Sequence, residues 1–187
     1  MSGQLFLGPT ILIRQTLCSN FSDVTIMESQ AEIEWPDRFD PNRAPVHVRN
    51  ELTMDVPCES VWAWLVRAES WPSLYANSAD VRFIEGQGPD LKLGTRFKWK
   101  TFGVHLVSKV LEFVPNERLA WDAKGPGVAA YHVWILQKTD SGCKVVTEEA
   151  QIGTMARLQN RFRPNRMHEQ HQKWLEGLEG KTRTGKP

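Results

Sequence analysis

The stretch GTRFKWKTF, residues 94–102, most narrows what this chain can fold into. Thr95, Phe97, Trp99 and Thr101 fall on one face of an extended strand, and Arg96, Lys98 and Lys100 fall on the other. Successive side chains of a strand point to opposite faces, so this is a half-solvated antiparallel strand with one apolar side. A turn at Phe102-Gly103 folds the chain back and sets Trp99 against Leu106, Phe97 against Ser108 and Thr95 against Val110. The opposite face then carries Lys98 against Val107 and Lys100 against His105. The two strands agree on which side is inside, and a slip of one residue would turn every side chain to the wrong face.

Alternation governs most of the chain. VHVRNELTM (Val46 to Met54) reads as a strand, as do ADVRFIEG and ERLAWDA, the last with Leu119 and Trp121 on one face. YHVWILQ and CKVVTEEAQ flank the turn KTDSG, and a regular hairpin there pairs Leu136 with Val145, Trp134 with Thr147 and His132 with Glu149. Two segments have a helical period instead. Pro57 opens one, with Val61, Trp64, Leu65 and Ala68 at helical spacing and a second short helix over Glu69 to Tyr75. The other runs from Thr154 to about Gly180, with a kink near Pro164, and stacks Met167, His171, Trp174 and Leu178 in one stripe with His168 at its edge. The order is strand, two helices, six antiparallel strands and a long closing helix, an α+β arrangement. That helix buries its stripe only by lying across the concave face of the sheet, and such a shell tends to enclose a cavity.

With 187 residues, there is room for one well-buried domain. WPDRFDPNRAP, residues 35–45, is rich in Pro, Asp and Asn and reads as an irregular lead-in. We therefore expect an N-terminal extension over residues 1–45, a domain over 46–180 and a disordered tail over 181–187. Residues 1–26 read unlike the rest and Met27 opens a polar stretch, so translation is expected to start there, with 1–26 a start-site artefact. LFLGPTILI is short, broken by Gly8-Pro9 and preceded by no Lys or Arg, unlike a secretory signal. No apolar run reaches the roughly 20 residues of a membrane span. Net charge is +1, which argues against a whole-chain field for nucleic acid or an anionic membrane. The cluster Arg157, Arg161, Arg163 and Arg166 reads as a solvated helix face. Cys18, Cys58 and Cys143 lie far apart with no CxxC, which fits a reducing, cytoplasmic setting and not a disulfide framework.

Several blocks together resemble the SRPBCC (START-like, helix-grip) superfamily, in its polyketide cyclase/dehydrase-like branch. They are VPCESVWAWL with WPSLY, LKLGTRFKWKTFG, SKVLEFVPNERLAW, YHVWIL, TEEAQIG and MHEQHQKWLEGL, covering about Val46 to Gly180. The resemblance implies a curved antiparallel sheet of about seven strands gripping the C-terminal helix, with a deep and mostly apolar pocket between them. It implies binding of lipids, polyketides or other hydrophobic small molecules. It carries no universal set of catalytic residues.

Residues placed inward by alternation are the candidate ligand wall: Phe97, Trp99, Leu106, Trp121, Trp134 and Leu136 from the sheet, with Met167, His171 and Trp174 from the closing helix. The plain alternative is that they fill a solid core. The most chemical pair is His132 and Glu149, since a carboxylate beside an imidazole can act as a general base for enolisation. Its alternative is a satisfied polar pair that only orients its neighbours. Glu112 is a second inward carboxylate by parity, whereas Tyr131 and His105 face outward. His168 and His171 stand three apart, so HEQH misses the HExxH zinc motif by one residue, and no metal is expected. No GxGxxG or P-loop occurs, so no cofactor is expected either. The first reading is a protein that binds a hydrophobic small molecule. The second is a cyclase/dehydratase-like enzyme without metal or nucleotide, and the third a chaperone-associated, protein-binding module.

Overall fold

The computed structural model describes residues 33–187, so the expected start at Met27 lies outside the described residues. The expected elements form in the expected order: β1 (Val46–Met54), α1 (Cys58–Val66), a 3-10 helix (Ala68–Ser73), then β2 (Ala79–Glu85), β3 (Arg96–Thr101), β4 (Val104–Val114), β5 (Arg118–Gly125), β6 (Val128–Thr139) and β7 (Gly142–Ile152). The helical tail breaks at Pro164 into α2 (Thr154–Phe162) and α3 (Arg166–Thr182). The strands make one antiparallel sheet in the order β1-β7-β6-β5-β4-β3-β2, the seven-stranded helix-grip arrangement that the resemblance implies. No helix among the described residues is long and apolar enough to cross a membrane.

Register follows the alternation. Trp99 pairs with Leu106, Phe97 with Ser108, Lys98 with Val107 and Lys100 with His105. Leu136 pairs with Val145, Trp134 with Thr147 and His132 with Glu149. Parity fails in β4, where a bulge between Val110 and Glu112 inserts an extra residue against β5. An inserted residue swaps the two faces beyond it. Phe113 therefore turns in to meet Trp62, with ring centroids 5.2 Å apart. Glu112, expected inside, turns out, where it pairs with Arg118 at 2.8 Å and accepts a hydrogen bond from the Tyr131 hydroxyl.

The inner face is packed with indole rings. Trp71 is fully buried and touches Phe97, Trp99, Trp121 and Trp174 at centroid distances of 5.1–5.7 Å. Its one polar atom, Nε1, donates to the Leu65 carbonyl at 2.9 Å. α3 lies close against the backbone that follows the 3-10 helix because Gly177 has no side chain, and a Cβ there would sit 1.8 Å from the Leu74 carbonyl oxygen. The expectation of an open shell is thus met only at one end, since most of the inner face is solid aromatic core.

Three sequence expectations are corrected. Cys58, at the start of α1, and Cys143, at the start of β7, are joined in a disulfide across 85 residues of sequence. Spacing along the chain could not reveal a pairing made by tertiary approach, and the argument from cysteines to a reducing compartment loses its basis. The lead-in is irregular but not detached, because Ile33, Trp35 and Phe39 cover Tyr131 on the outer face of the sheet. The tail is not loose, since α3 extends to Thr182 and the Trp64 indole donates to the Gly185 carbonyl at 2.8 Å.

Candidate functional site

The space left by the aromatic core opens where β3 to β7 end beneath α2. Trp99, Leu106, Trp121 and Ala123 wall it on the sheet side, Tyr75, His171 and Trp174 on the opposite side, and Met155 and Gln159 of α2 lie over it. The turn that carries α2 back across the sheet depends on Gly153, at φ +114°, where a Cβ would fall 2.3 Å from the Gly127 carbonyl oxygen. The cavity is small, about 30 Å³, room for a water or two.

Its inner end is polar. Glu149 is 7% exposed and receives three groups. Oε2 lies 3.2 Å from Nδ1 of His132 and 3.1 Å from Nε2 of His171, and Oε1 accepts from the Gln151 amide at 2.6 Å. Alternation explains His132 and Glu149, directly opposed on neighbouring strands, while Gln151 shares their face two residues along. His171 arrives from α3, with its ring stacked on His132 at 4.8 Å and 7° between planes.

The carboxylate fixes the tautomers. A carboxylate only accepts, so both facing ring nitrogens carry protons. Nε2 of His132 is then free to accept from the Thr147 hydroxyl at 2.7 Å. Nδ1 of His171 has no partner among the described residues, and neither do the indole N–H groups of Trp121 and Trp174 in the same walls. Burial holds His132 well below the ordinary histidine value, against the pull of Glu149. Burial also pushes Glu149 up, but His132, the His171 and Gln151 hydrogen bonds and the His171 ring outweigh it, and its carboxyl stays below the usual range. The resting cluster is a carboxylate between imidazole N–H donors, a buried negative charge stabilised by hydrogen bonds.

Across the pocket, Tyr75 stacks on Trp174 at 4.5 Å and its hydroxyl oxygen accepts from Asn77 at 2.8 Å. Burial raises its pKa, so the phenol stays protonated, and Tyr75 stands in the pocket wall beside Thr101. WPSLY was a recognisable block, but nothing in its spacing assigned Tyr75 a role.

His132, Glu149 and His171 also supply the donor count of a two-histidine, one-carboxylate metal set, within 4.8 Å of one another. Yet both imidazoles already direct a proton at the same oxygen, and stacked rings keep their in-plane lone pairs in separate planes that do not converge on one ion.

Of the residues read as the ligand wall, the structure brings Trp99, Leu106, Trp121, His171 and Trp174 to the pocket together with His132 and Glu149. Phe97, Trp134 and Leu136 lie in the core away from it. Met167 packs with Val46 and Ala156 beside a neighbouring cleft. Sequence reasoning did not reach Tyr75, Thr147, Gln151 and the α2 residues Met155 and Gln159.

A family model described as polyketide cyclase / dehydrase and lipid transport matches residues 45–179. Among solved structures, a hypothetical protein, jhp0584 from Helicobacter pylori, is 30% identical, with a TM-score of 0.76 over 83% of this chain and 99% of that one. Ara h 8.0201 is 18% identical with a TM-score of 0.59, over 75% of this chain and 99% of that one. DynU16, from the dynemicin biosynthetic locus, is 16% identical with a TM-score of 0.52, over 75% of this chain and 48% of that one. At these identities the last two likenesses are of fold alone. No curated protein matches the sequence.

Proposed function

Because the chain belongs to the polyketide cyclase / dehydrase and lipid transport family, we propose that it binds a hydrophobic small molecule, lipid or polyketide-like, in the pocket beneath α2. The observation that carries this reading is the polar inner end of an otherwise aromatic pocket. Pockets that hold small molecules pair apolar walls with a few convergent polar groups that fix orientation. Here those groups are Nδ1 of His171, the Trp121 and Trp174 N–H donors and the Tyr75 hydroxyl. A ligand with an apolar body and one hydroxyl, carbonyl or carboxyl end would satisfy them. In the resting form the cavity admits only water, so a larger ligand enters by displacing Met155 and Gln159. α2 is suited to yield, since only Ala156 of its nine residues is buried.

Native mass spectrometry of the protein purified from its own cells tests the reading. The expected result is a bound species of lipid or polyketide mass, with tryptophan fluorescence changing as it is extracted and returned. Absence of any bound species, together with no fluorescence response across a lipid and polyketide panel, would count against it.

A second reading rests on the Glu149 cluster. The Glu149 carboxylate holds the Nε2–H of His171, which leaves Nδ1 of that ring unpartnered to take a proton next to a ketone, while the Tyr75 hydroxyl in the pocket wall stabilises the oxyanion that forms, the two halves of a cyclase-type aldol step. His132→Ala and Glu149→Gln are each expected to abolish turnover of such a substrate and to spare its binding. Unchanged turnover in Glu149→Gln would remove the catalytic role and leave the carrier.

A further inference from the structure

Among the described residues, α2 combines weak anchoring with the most exposed apolar surface of any helix. Phe162 is 75% exposed, Leu158 52% and Met155 37%. They stand at positions i, i+3 and i+7, one face of a helix, while Ala156 seats the opposite side on the fold. The other exposed large apolar residues among those described, Ile84, Leu93, Val107 and Leu111, stand singly on strands and a loop. Scattered exposed apolar groups need no explanation, but three on one face of a short helix do.

Charge narrows the partner. Gly153 to Arg166 carries four arginines and no Asp or Glu, in a chain whose net charge is only +1. Arg157, Arg161 and Arg163 are exposed, and Arg166 lies over the Phe102 ring at 5.2 Å. An apolar stripe flanked by arginines is the composition of a helix lying in a lipid headgroup layer. There the apolar tips enter the acyl boundary, and the arginine stems follow them while the guanidinium groups stay among phosphates. A protein partner would equally accept the apolar stripe, but nothing in a mixed-charge protein surface calls for an acid-free run of arginines.

We propose that α2 docks this protein reversibly on an anionic membrane surface, inserting Leu158 and Phe162 among the headgroups while Arg157, Arg161 and Arg163 engage lipid phosphates. Met155 and Gln159 of the same helix lie over the pocket, so docking places the pocket mouth on the membrane. That link to ligand exchange rests on the ligand-binding reading, whereas the docking itself stands on the helix surface alone. With three apolar residues and no lipid anchor, attachment is transient.

The test is flotation of the full chain with vesicles of phosphatidylcholine alone, and of phosphatidylcholine with about one third phosphatidylglycerol. Flotation is expected only with the anionic vesicles and falls as salt is added. Each of Arg157→Gln, Arg161→Gln and Arg163→Gln weakens it about fivefold. The double substitution Leu158→Ser with Phe162→Ser abolishes flotation without lowering Tm, since both side chains are exposed. No flotation with anionic vesicles at low salt overturns the proposal, as does flotation that the double substitution leaves intact. A dimer seen by analytical ultracentrifugation and dissolved by the double substitution, without vesicle binding, would assign the face to a second copy instead. Salt-sensitive binding of an RNA oligonucleotide, again without vesicle binding and indifferent to Leu158 and Phe162, would assign it to nucleic acid. Because no small-molecule ligand is used, a protein that floats but holds no ligand keeps the docking proposal and loses the pocket reading.

Discussion

Two ends of one strand pair, β6 and β7, have opposite chemistry on the same inner face. At the closed end Leu136 faces Val145 next to Cys143, under α1, and these buried groups are apolar or locked in the disulfide. Four residues along β6, His132 faces Glu149, and one further row brings Ala130 opposite Gln151 at the mouth. Both ends are equally inaccessible, with Leu136 at 4% exposure and His132 at 2%. Burial therefore does not separate them. What separates them is what burial does: it stabilises hydrocarbon, whereas a buried carboxylate persists only through its donors. The closed end accounts for stability, and the pocket end concentrates groups that a fold alone would not require.

That contrast breaks most readily at Trp71, which fills the centre of the aromatic layer. Trp71→Ala is expected to cost about 3–5 kcal/mol, read from urea denaturation. A loss below about 1 kcal/mol would mean the layer is less tightly packed than its ring contacts imply. Opening the closed end is next in size. Removing the Cys58–Cys143 bond, by reduction or by Cys58→Ser with Cys143→Ser, should cost about 2–4 kcal/mol, because the unfolded chain regains the freedom of a long loop. Thermal unfolding with and without reductant measures it, and an unchanged Tm would show that the two thiols are not bonded.

Smallest per pH unit is the effect at the polar inner end of the pocket, which depends on pH. The pKa of His132 is depressed in the folded state below its unfolded value of 6.5. Its contribution is therefore fully present above 6.5. It is lost as pH falls towards the folded value of about 3, because the unfolded chain then binds a proton that the native state refuses. The slope is at most about 1.4 kcal/mol per pH unit. His132→Gln should flatten the stability profile across that window by up to this amount, and matching profiles in urea titrations would mean that His132 is not held neutral.

How much of this was readable in advance depends on the distance over which a signal acts. The hairpin registers, Trp99 on Leu106 and His132 on Glu149, were readable because alternation and a short turn are local. The Glu112 assignment failed at a single bulge, which periodicity does not announce. His171 was correctly turned inward by its helical stripe, but its meeting with Glu149 joins segments that no period connects. The same holds for Phe39 on Tyr131 and for Trp64 holding the tail. α2 shows the reverse failing: its arginines by themselves read as a solvated face, and only the exposure of Leu158 and Phe162 beside them raises the proposal of membrane docking.

By itself the sequence determined the element order, the inward faces and the opposition of His132 to Glu149, since each follows from a backbone period of two or 3.6 residues acting over a few residues. Only the tertiary structure decided that the indoles close most of the cavity, that Cys58 reaches Cys143, and that His171 completes the buried carboxylate's shell. Those outcomes depend on how the sheet curves and where α3 crosses it, quantities set by the sum of all packing contacts and carried by no single stretch of chain.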